Sequence, residues 1–266
     1  MSRVKLRFGW LFRPQLFVGF MAVCLCIGAL GNISRATNSG EGVFTTLSNR
    51  PSVKGAMYPE GVPDCGKVPC IALSFDDGPN SVTTPQVLDI LKQQNIKATF
   101  FLIGKHVPGN EPLLRRMHAE GHEIGNHSWD HPDFTTLTPQ QMDDELMRTQ
   151  QIIAQTGVPV PHLFRPPYGA VNDVVRSHTN GMTIMRWDID PADWDLLDAA
   201  KVQQSIMAQA RPGGIILMHD IYPSTAQALG PVIDQLKGHY QFVTVSQLMS
   251  LNPGDQGQYF GRWRPE

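Results

Sequence analysis

Runs of apolar and β-branched residues alternate with longer amphipathic segments through most of this 266-residue chain. Seven runs have the composition of buried strands: 70–75, 98–103, 123–126, 162–165, 182–188, 214–219 and 241–245. Segments with a helical pattern lie between most of them, at 84–94, 111–120, 138–156, 171–179, 199–210 and 224–237. Strands that alternate with helices predict a parallel sheet covered by helices. About seven such units predict an α/β fold, a distorted (β/α) barrel smaller than the eightfold barrel.

The clearest helix signal covers residues 138–156. Thr138 is a favourable N-cap residue, Pro139 suits the first helical position, and Gly157 follows the last periodic residue. We therefore expect a long helix here, with both ends specified by the local sequence.

The pattern is different at the two ends of the chain. The first 13 residues contain four basic side chains and no acid, and an uncharged, largely apolar stretch follows from Pro14 to Ser34. This stretch is long enough to span a bilayer, which needs about 20 apolar residues. Residues 1–36 are predicted to be a signal peptide or an uncleaved membrane anchor, with the rest of the chain outside the cytoplasm. Residues 37–67 are predicted to form a linker and lead-in, and 252–266 an irregular tail.

Composition and charge argue against two classes of protein. Hydrophobic residues make up 41% of the chain and charged residues 17%, which is typical of a globular protein and not of a disordered one. The formal net charge is −2, and five basic residues without any acid lie in the first 35, so the remainder carries −7. A body with that charge is not expected to bind nucleic acid.

Two of the four cysteines, Cys65 and Cys70, lie close together just before the first predicted strand. In an exported protein, such a pair is expected to form a disulfide that holds the start of the strand. Two free thiols are the alternative.

Candidate chemistry is concentrated where the predicted strands end. Asp76 and Asp77 follow the first strand, and His127 and His131 follow the third. Two histidines and one carboxylate suit Zn²⁺ or a similar divalent metal with an open position for water. The other carboxylate then lies beside the metal. This set predicts metal-assisted hydrolysis.

Each of these signals also has a structural explanation. An Asp-Asp-Gly-Pro sequence is often simply a turn. The two histidines could instead lie on one face of a helix, but Pro132 disfavours a helical conformation at His131. Arg165 and His219 end predicted strands, and Asp190 and Asp193 follow another. Because the carboxyl ends of parallel strands lie on one side of a barrel, all these residues can converge. Their joint occurrence favours a single site.

Five ordered motifs carry a resemblance to a known family. They read SFDDGP at 74–79, HSWDH at 127–131, RPPYG at 165–169, DPADW at 190–194 and LMH at 217–219. With these motifs, the chain resembles the polysaccharide deacetylases, the NodB-like family of carbohydrate esterases. The resemblance covers about residues 68–250 and implies that 68–251 is a deacetylase catalytic domain with that family's barrel. Ser74, where threonine is usual, is the one departure and is not expected to affect catalysis.

The resemblance implies a role for each motif. Asp77, His127 and His131 would hold one divalent metal, Zn²⁺ first, with Co²⁺, Ni²⁺ or Mn²⁺ as alternatives. Asp76 would be the general base, oriented by Arg165.

The remaining motifs are implied to serve the leaving group and the acetyl group. His219 would be the general acid, kept protonated by Asp193. The backbone N–H of Tyr168 would stabilise the oxyanion. Leu217 and Trp194 would line a small slot for the acetyl methyl group.

The implied activity is removal of N-acetyl groups from N-acetylglucosamine in an extracytoplasmic polymer, peptidoglycan first and chitin or chito-oligosaccharide next. An O-acetyl esterase acting on xylan or another acetylated glycan is an alternative, as is a non-catalytic wall-binding protein. The acetylated polysaccharide is the predicted partner, and the membrane is a second one if residues 1–36 are not cleaved. No protein partner can be inferred.

Overall fold

A computed structural model describes residues 61–252 and 254–261. The predicted signal peptide or anchor at 1–36, residues 37–60 of the predicted linker and residues 262–266 lie outside the described residues. Within the described ranges, no helix is both long enough and apolar enough to cross a membrane.

One curled sheet of parallel strands forms the centre of the described chain. Its strands are β1 (Cys70–Asp76), β2 (Thr99–Leu102), β3 (Glu123–Asn126), β4 (Leu163–Phe164), β5 (Thr183–Met185), β6 (Ile215–His219), β7 (Gln241–Val243) and β8 (Gln258–Tyr259). Seven strands follow the order β6-β1-β2-β3-β4-β5-β8, and β7 pairs with the start of β1. Each of the seven predicted runs overlaps one of these strands.

The sheet curls until its two sides meet. Beyond β5, Ile189 forms an isolated parallel bridge with Ile216 of β6. The N–H of Leu217 donates to the carbonyl oxygen of Ile189 at 2.9 Å. The predicted distorted barrel of parallel strands is therefore confirmed.

Helices lie between most of the strands. They are α1 (Thr83–Gln93), α2 (Glu111–Ala119), α3 (Pro139–Gln155), α4 (Asp173–Ser177), α5 (Asp193–Leu196), α6 (Ala199–Gln209), α7 (Pro223–Leu236) and α8 (Val245–Met249). Apolar residues of α1, α2, α6 and α7 pack with those of β1, β2 and β6 in the largest hydrophobic cluster. The prediction for α3 is confirmed to within one residue at each end, and Thr138 caps it in a capping box with Gln141.

Alternation along β1 separates the core from the site. Ile71, Leu73 and Phe75 join the cluster shared with the helices. Ala72 packs on the other face, in a second cluster with residues of β2, β4 and β5. Because side chains alternate across a strand, Ser74 and Asp76 lie on the same face as Ala72. That interior face becomes polar at the carboxyl end of the strand.

Three short elements differ from the sequence prediction. Helices α5 and α8, of four and five residues, fall in segments without a predicted helix, because neither is long enough to show a full amphipathic period in its own sequence. Helix α4 is as short, and it covers only part of the helix predicted at 171–179. Strand β8 lies in the segment predicted to be an irregular tail. Tyr259 explains this difference, since its side chain is buried in the same cluster as Met185 while β8 pairs with β5.

The start of β1 is held covalently. Cys65 and Cys70 form a disulfide, with their Cα atoms 5.4 Å apart. Cys70 is the first residue of β1 and is buried. The bond therefore ties the lead-in loop to the first strand of the barrel.

Candidate active site

Four strands bring the candidate residues to one end of the barrel. Asp76 is the last residue of β1, and His219 is the last residue of β6. These two residues lie opposite each other in the parallel register of the two strands. His127 and Arg165 follow β3 and β4 directly. The carboxyl ends of neighbouring parallel strands therefore place residues that are far apart in sequence around one centre.

Three side chains predicted from the sequence to bind a metal form a candidate metal centre. Within the described residues, Asp77, His127 and His131 are one group whose ligand atoms all lie within 4.8 Å of one another. The Oδ1 atom of Asp77 is 3.5 Å from Nε2 of His127 and 3.6 Å from Nε2 of His131. One carboxylate oxygen and two imidazole nitrogens thus face a common point.

The hydrogen bonds of this group fit a cation. Nδ1 of His127 donates to the carbonyl oxygen of Arg165 at 2.6 Å, so Nε2 carries the lone pair that faces the centre. Burial lowers the pKa of His127 to about 3, which keeps the ring neutral. Oδ1 of Asp77 is buried and has no hydrogen-bond partner within the described residues. A buried carboxylate oxygen of this kind requires a counterpart, and a divalent metal between the three ligands supplies one.

Asp77 and the metal loop, residues 127–131, are held in a strained conformation. Asp77, Ser128 and His131 all have positive φ angles, of 71°, 70° and 68°. Positive φ is uncommon for residues other than glycine and costs free energy, so surrounding contacts must enforce it. One such contact is the hydrogen bond from the His131 N–H to Oγ of Ser128 at 3.0 Å.

Helix α3 supplies a second support for this loop. Oε2 of Glu145 accepts hydrogen bonds from the N–H groups of Trp129 and Asp130, at 2.8 and 3.1 Å. The guanidinium of Arg148, also on α3, lies 4.1 Å from the centre of the Trp129 ring. The position of His131 therefore depends on a helix that contributes no ligand itself.

Gly78 allows a close approach directly after the Asp77 ligand. A side-chain carbon at this position would lie 2.5 Å from both carboxylate oxygens of Asp220. Asp220 is fully buried, accepts a hydrogen bond from the Thr84 hydroxyl, and has its pKa raised to about 7 by burial. Glycine is therefore required at position 78 by space.

Asp76 forms a buried ion pair with Arg165. Nη1 of Arg165 is 2.7 Å from Oδ1 of Asp76, and the other oxygen of Asp76 is 3.6 Å from Nε2 of His127. Burial raises the pKa of Asp76, and the charge and hydrogen bond of Arg165 oppose that rise. The pair therefore places a carboxylate of increased basicity beside the metal ligands.

Arg165 is itself fixed from several sides. It is fully buried, and its guanidinium also donates to Oγ of Ser74 at 2.9 Å and to the carbonyl oxygens of Met185 and Arg186 at 3.2 Å. The ring of Phe101 stacks on it at 4.0 Å. These contacts satisfy a charge that would otherwise be costly to bury. The serine that departs from the family pattern thus orients the arginine.

His219 and Asp193 form a second ion pair. Nδ1 of His219 donates to Oδ1 of Asp193 at 2.8 Å, and the backbone N–H of His219 donates to Oδ2 at the same distance. The hydroxyl of Thr225 also donates to Oδ2, at 2.6 Å. Burial lowers the pKa of His219, but the hydrogen bond and charge of Asp193, together with the charges of Asp76 and Asp77, outweigh burial and raise the pKa to about 9. His219 is therefore protonated at neutral pH, with Nε2–H directed away from Asp193.

Tyr168, Trp194 and Leu217 lie at the edge of this centre. Tyr168 has a φ of 58°, its side chain is 69% exposed, and its ring packs edge-on against His131 with 4.6 Å between ring centres. Within the described residues, its backbone N–H has no acceptor. Trp194 is 52% exposed on α5, and Leu217 is buried in β6. The N–H of Tyr168 and the indole of Trp194 are thus open to a ligand.

Sequence reasoning missed residues of the surrounding helices that form hydrogen bonds with the motifs. Glu145 and Thr225 each contact a motif residue through hydrogen bonds, but they belong to no motif and lie on helices α3 and α7. Ser74 had a usable signal, because it stands two residues before Asp76 and therefore on the same face of β1. Asp190, in the same motif as Asp193, accepts hydrogen bonds from the indole N–H of Trp187 and from the Ala192 N–H, which is a structural role.

Comparison with known proteins identifies the family. A family model described as polysaccharide deacetylase matches residues 64–186. A chitooligosaccharide deacetylase from Bradyrhizobium sp. (strain ANU 289) is 41% identical over 157 residues, which cover 58% of this chain and 71% of that protein. The chain belongs to the polysaccharide deacetylase family. The resemblance inferred from the five motifs is thereby confirmed.

Two further relatives extend this comparison. Peptidoglycan-N-acetylglucosamine deacetylase PgdA of Listeria monocytogenes is 40% identical over 222 residues, which cover 83% of this chain and 47% of PgdA. The chain therefore spans about half the length of this curated relative. The structure of peptidoglycan deacetylase PdaC from Bacillus subtilis aligns with a TM-score of 0.68 at 43% identity, covering 71% of this chain and 93% of that one. That similarity supports the curled parallel sheet described above.

Proposed function

We propose that this protein is a metal-dependent hydrolase that removes N-acetyl groups from N-acetylglucosamine residues of a cell-wall polysaccharide and releases acetate. One observation carries the proposal. A buried carboxylate, Asp76, and a protonated imidazole, His219, lie opposite each other in neighbouring strands beside an Asp/His/His centre. A base and an acid on either side of a metal site are the groups that amide hydrolysis requires.

The metal is proposed to be Zn²⁺, because two imidazoles and one carboxylate match its preferred ligands. Asp77, His127 and His131 would hold it. When bound, such a cation lowers the pKa of water and polarises a carbonyl group. Co²⁺, Ni²⁺ and Mn²⁺ can bind the same donor set.

Asp76 is proposed to accept the proton of the attacking water. Its Oδ1 is engaged by Arg165, so the lone pairs of Oδ2 face the centre. Because Arg165 keeps its charge at any accessible pH, it orients Asp76 without competing for the proton. The raised pKa of Asp76 makes it a better base than an exposed aspartate.

His219 is proposed to protonate the leaving nitrogen. An amide requires such an acid, because an amine anion is a very poor leaving group, whereas the alkoxide of an ester departs more easily. Nδ1 and the backbone N–H of His219 both donate to Asp193, which leaves Nε2–H as the proton donor. This pair therefore favours an amidase over the O-acetyl esterase alternative.

Tyr168 and two apolar residues are proposed to bind the acetyl group. The backbone N–H of Tyr168 is available to donate to the oxyanion that forms on the carbonyl oxygen. Leu217, in the same strand as His219, and Trp194, next to Asp193, would line the methyl slot. In the sequence, Leu217 is two residues from His219, and Trp194 is one residue from Asp193.

The substrate class rests on the relatives. PgdA is named a peptidoglycan-N-acetylglucosamine deacetylase, and the Bradyrhizobium relative a chitooligosaccharide deacetylase. Peptidoglycan is the first proposal and chito-oligosaccharide the second. Action outside the cytoplasm is proposed with it, and is supported by the Cys65–Cys70 disulfide and by the apolar segment within residues 1–36, as a cleaved leader or an anchor.

The test is acetate release by the full-length chain from peptidoglycan, chito-oligosaccharide and acetylated xylan. Each reaction is run as purified, with chelator, and with Zn²⁺ restored after chelation. Acetate from a glucosamine polymer that disappears with chelator and returns with Zn²⁺ supports the proposal. Acetate from xylan alone indicates the esterase, and wall binding without acetate from any polymer indicates a non-catalytic protein.

A further inference from the structure

Arg186 is a cation at the rim of the site that pairs with no carboxylate of the described residues. It follows β5 directly and is half-buried. The other buried or half-buried arginines of the described chain each pair with a carboxylate: Arg116 with Asp89 and Glu120, Arg165 with Asp76, and Arg211 with Asp188. Within the described residues, Arg186 has no such pair. Burial lowers its pKa, and the nearby positive charge of Arg176 lowers it further.

The guanidinium of Arg186 borders the turn that presents the Tyr168 N–H. A side-chain carbon at Gly169, the next residue, would lie 3.2 Å from Nε of Arg186 and 3.3 Å from Nη2. The backbone of Arg186 contacts the residue that orients Asp76, because Arg165 donates to the carbonyl oxygen of Arg186 at 3.2 Å. Arg186 therefore lies on the Tyr168 side of the metal centre.

The guanidinium is held in place and left partly open. Its carbon lies 4.5 Å from the centre of the Phe260 ring. Nε is buried without a hydrogen-bond partner, whereas the terminal nitrogens are not among the fully buried, unpaired atoms. Within the described chain, neither Nη1 nor Nη2 donates to a protein acceptor, so both are free to donate to a ligand. A charge that is partly desolvated without a partner has a cost that an anionic ligand removes.

We propose that Arg186 binds a carboxylate of the glycan, on the sugar next to the N-acetylglucosamine that reacts. This rests on the proposed function. A planar fork of two N–H donors matches a carboxylate in a bidentate pair. In peptidoglycan, N-acetylglucosamine alternates with muramic acid, which carries a carboxylate on its lactyl group or on the attached peptide. Chito-oligosaccharides carry none, so Arg186 favours the acidic polymer over the neutral one.

The test compares Arg186→Gln with the natural chain on three substrates of equal length. These are peptidoglycan oligosaccharides with free lactyl carboxylates, the same strands with peptides attached, and neutral chito-oligosaccharides. A charge-assisted hydrogen bond predicts a loss of about 10- to 100-fold in kcat/KM on the acidic substrates. The loss is expected in KM, with no change on the chito-oligosaccharide. A loss on only one acidic substrate assigns the carboxylate to the lactyl group or to the peptide.

Arg176→Gln is the matched control, since Arg176 is nearby but is already paired with Asp173 at 2.8 Å. It should leave all three substrates unaffected. Arg186→Lys keeps the charge without the fork and should recover part of the loss. Equal losses for Arg186→Gln on acidic and neutral substrates would show a purely structural role. No loss on either class of substrate would refute the proposed carboxylate subsite.

Equilibrium binding of the same oligosaccharides, measured in parallel, separates this proposal from the proposed function. If the natural chain releases no acetate but binds acidic strands more tightly than Arg186→Gln does, the subsite holds and the hydrolase proposal fails. Equal binding by the two chains would overturn the subsite whatever the activity.

Discussion

Two ion pairs flank the candidate metal centre with their roles reversed. On the β1 side, the proposed reactive group is the carboxylate of Asp76, and its partner is the cation Arg165. On the β6 side, the proposed reactive group is the cation His219, and its partner is the carboxylate of Asp193. The side chain of Arg165 is completely buried, whereas that of His219 is 13% exposed.

The difference shows how one interaction type can give opposite protonation states. In both pairs, burial disfavours the charged form of the reactive group and the partner favours it. For Asp76 burial prevails and the pKa rises, which suits a base. For His219 the partner prevails and the pKa rises to about 9, which suits an acid. The balance depends on how deeply each pair lies and on how many other hydrogen bonds the partner makes.

The largest effect is expected from Asp76→Asn, which removes the base and leaves the rest of its pair in place. Asparagine keeps the size of the side chain but cannot accept a proton, and general-base catalysis contributes about 10²- to 10⁴-fold. Acetate release should fall within that range while bound metal, measured by atomic absorption, stays constant. Asp190→Asn, a change of the same kind at a structural position, should retain activity. Full activity in Asp76→Asn would refute the assignment of the base.

Replacing Arg165, the partner of Asp76 in the same ion pair, should mainly reduce the stability of the fold. Arg165→Met leaves Asp76 buried without its cation, and breaking a buried pair costs about 3–5 kcal/mol. The free energy of unfolding in urea should fall by that amount. Loss of the positive charge should also raise the pKa of Asp76 further, so the acidic limb of kcat/KM should move to higher pH. Arg176→Met breaks an exposed pair and should have a much smaller effect, so equal losses would contradict the importance of burial.

The second pair is tested by Asp193→Asn and a pH profile. His219 must be protonated to act as an acid, so activity should decline as pH rises through about 9. Without the Asp193 charge, the pKa of His219 should fall toward or below its ordinary value of about 6.5, and the alkaline limb should move to lower pH. An unchanged alkaline limb would show that His219 is not the group that titrates.

The same pKa shift makes a prediction about folding. Because the pKa of His219 is higher in the folded chain than in the unfolded one, the pair stabilises the fold fully below about pH 6.5. This contribution should disappear as pH rises toward 9. Urea unfolding over that range should show a smaller pH dependence for Asp193→Asn than for the natural chain.

The smallest effect is expected from Glu145→Ala, which changes neither ion pair but loosens the metal loop, residues 127–131. Glu145 holds two N–H groups next to His131. Loss of a group that orients a metal ligand typically lowers metal affinity about 10- to 100-fold. Zn²⁺ affinity measured by chelator competition should fall within that range. The exposed Gln151 of the same helix provides the control, and Gln151→Ala should bind Zn²⁺ normally.

Most of the fold and the identities of the motif residues could be predicted from the sequence. The seven strand runs and helix α3 carry strong local signals, because buried strands and capped helices use distinctive residue types. The four-residue helix α5 and the two-residue strand β8 carry none. They depend on neighbours distant in sequence, as the burial of Tyr259 against the interior cluster shows.

The contacts that support the site could not be predicted in this way. Glu145 reaches the metal loop from a helix that has no motif, and Thr225 reaches Asp193 across 32 residues. Arg186 directly follows β5, and the sequence around it has no charge pattern that would distinguish it. Only the folded chain shows that Asp173 and Asp188 pair with Arg176 and Arg211, and that no carboxylate of the described ranges pairs with Arg186.

The alternation of strands and helices is encoded locally, and so is the placement of Asp76, Asp77, His127, Arg165 and His219 at strand ends, because period and residue type are local properties. Which of these groups pair, which are buried and which way each proton points are properties of the folded chain. Those properties depend on distance and on exclusion of water, and both arise only when the sheet curls and its strand ends meet.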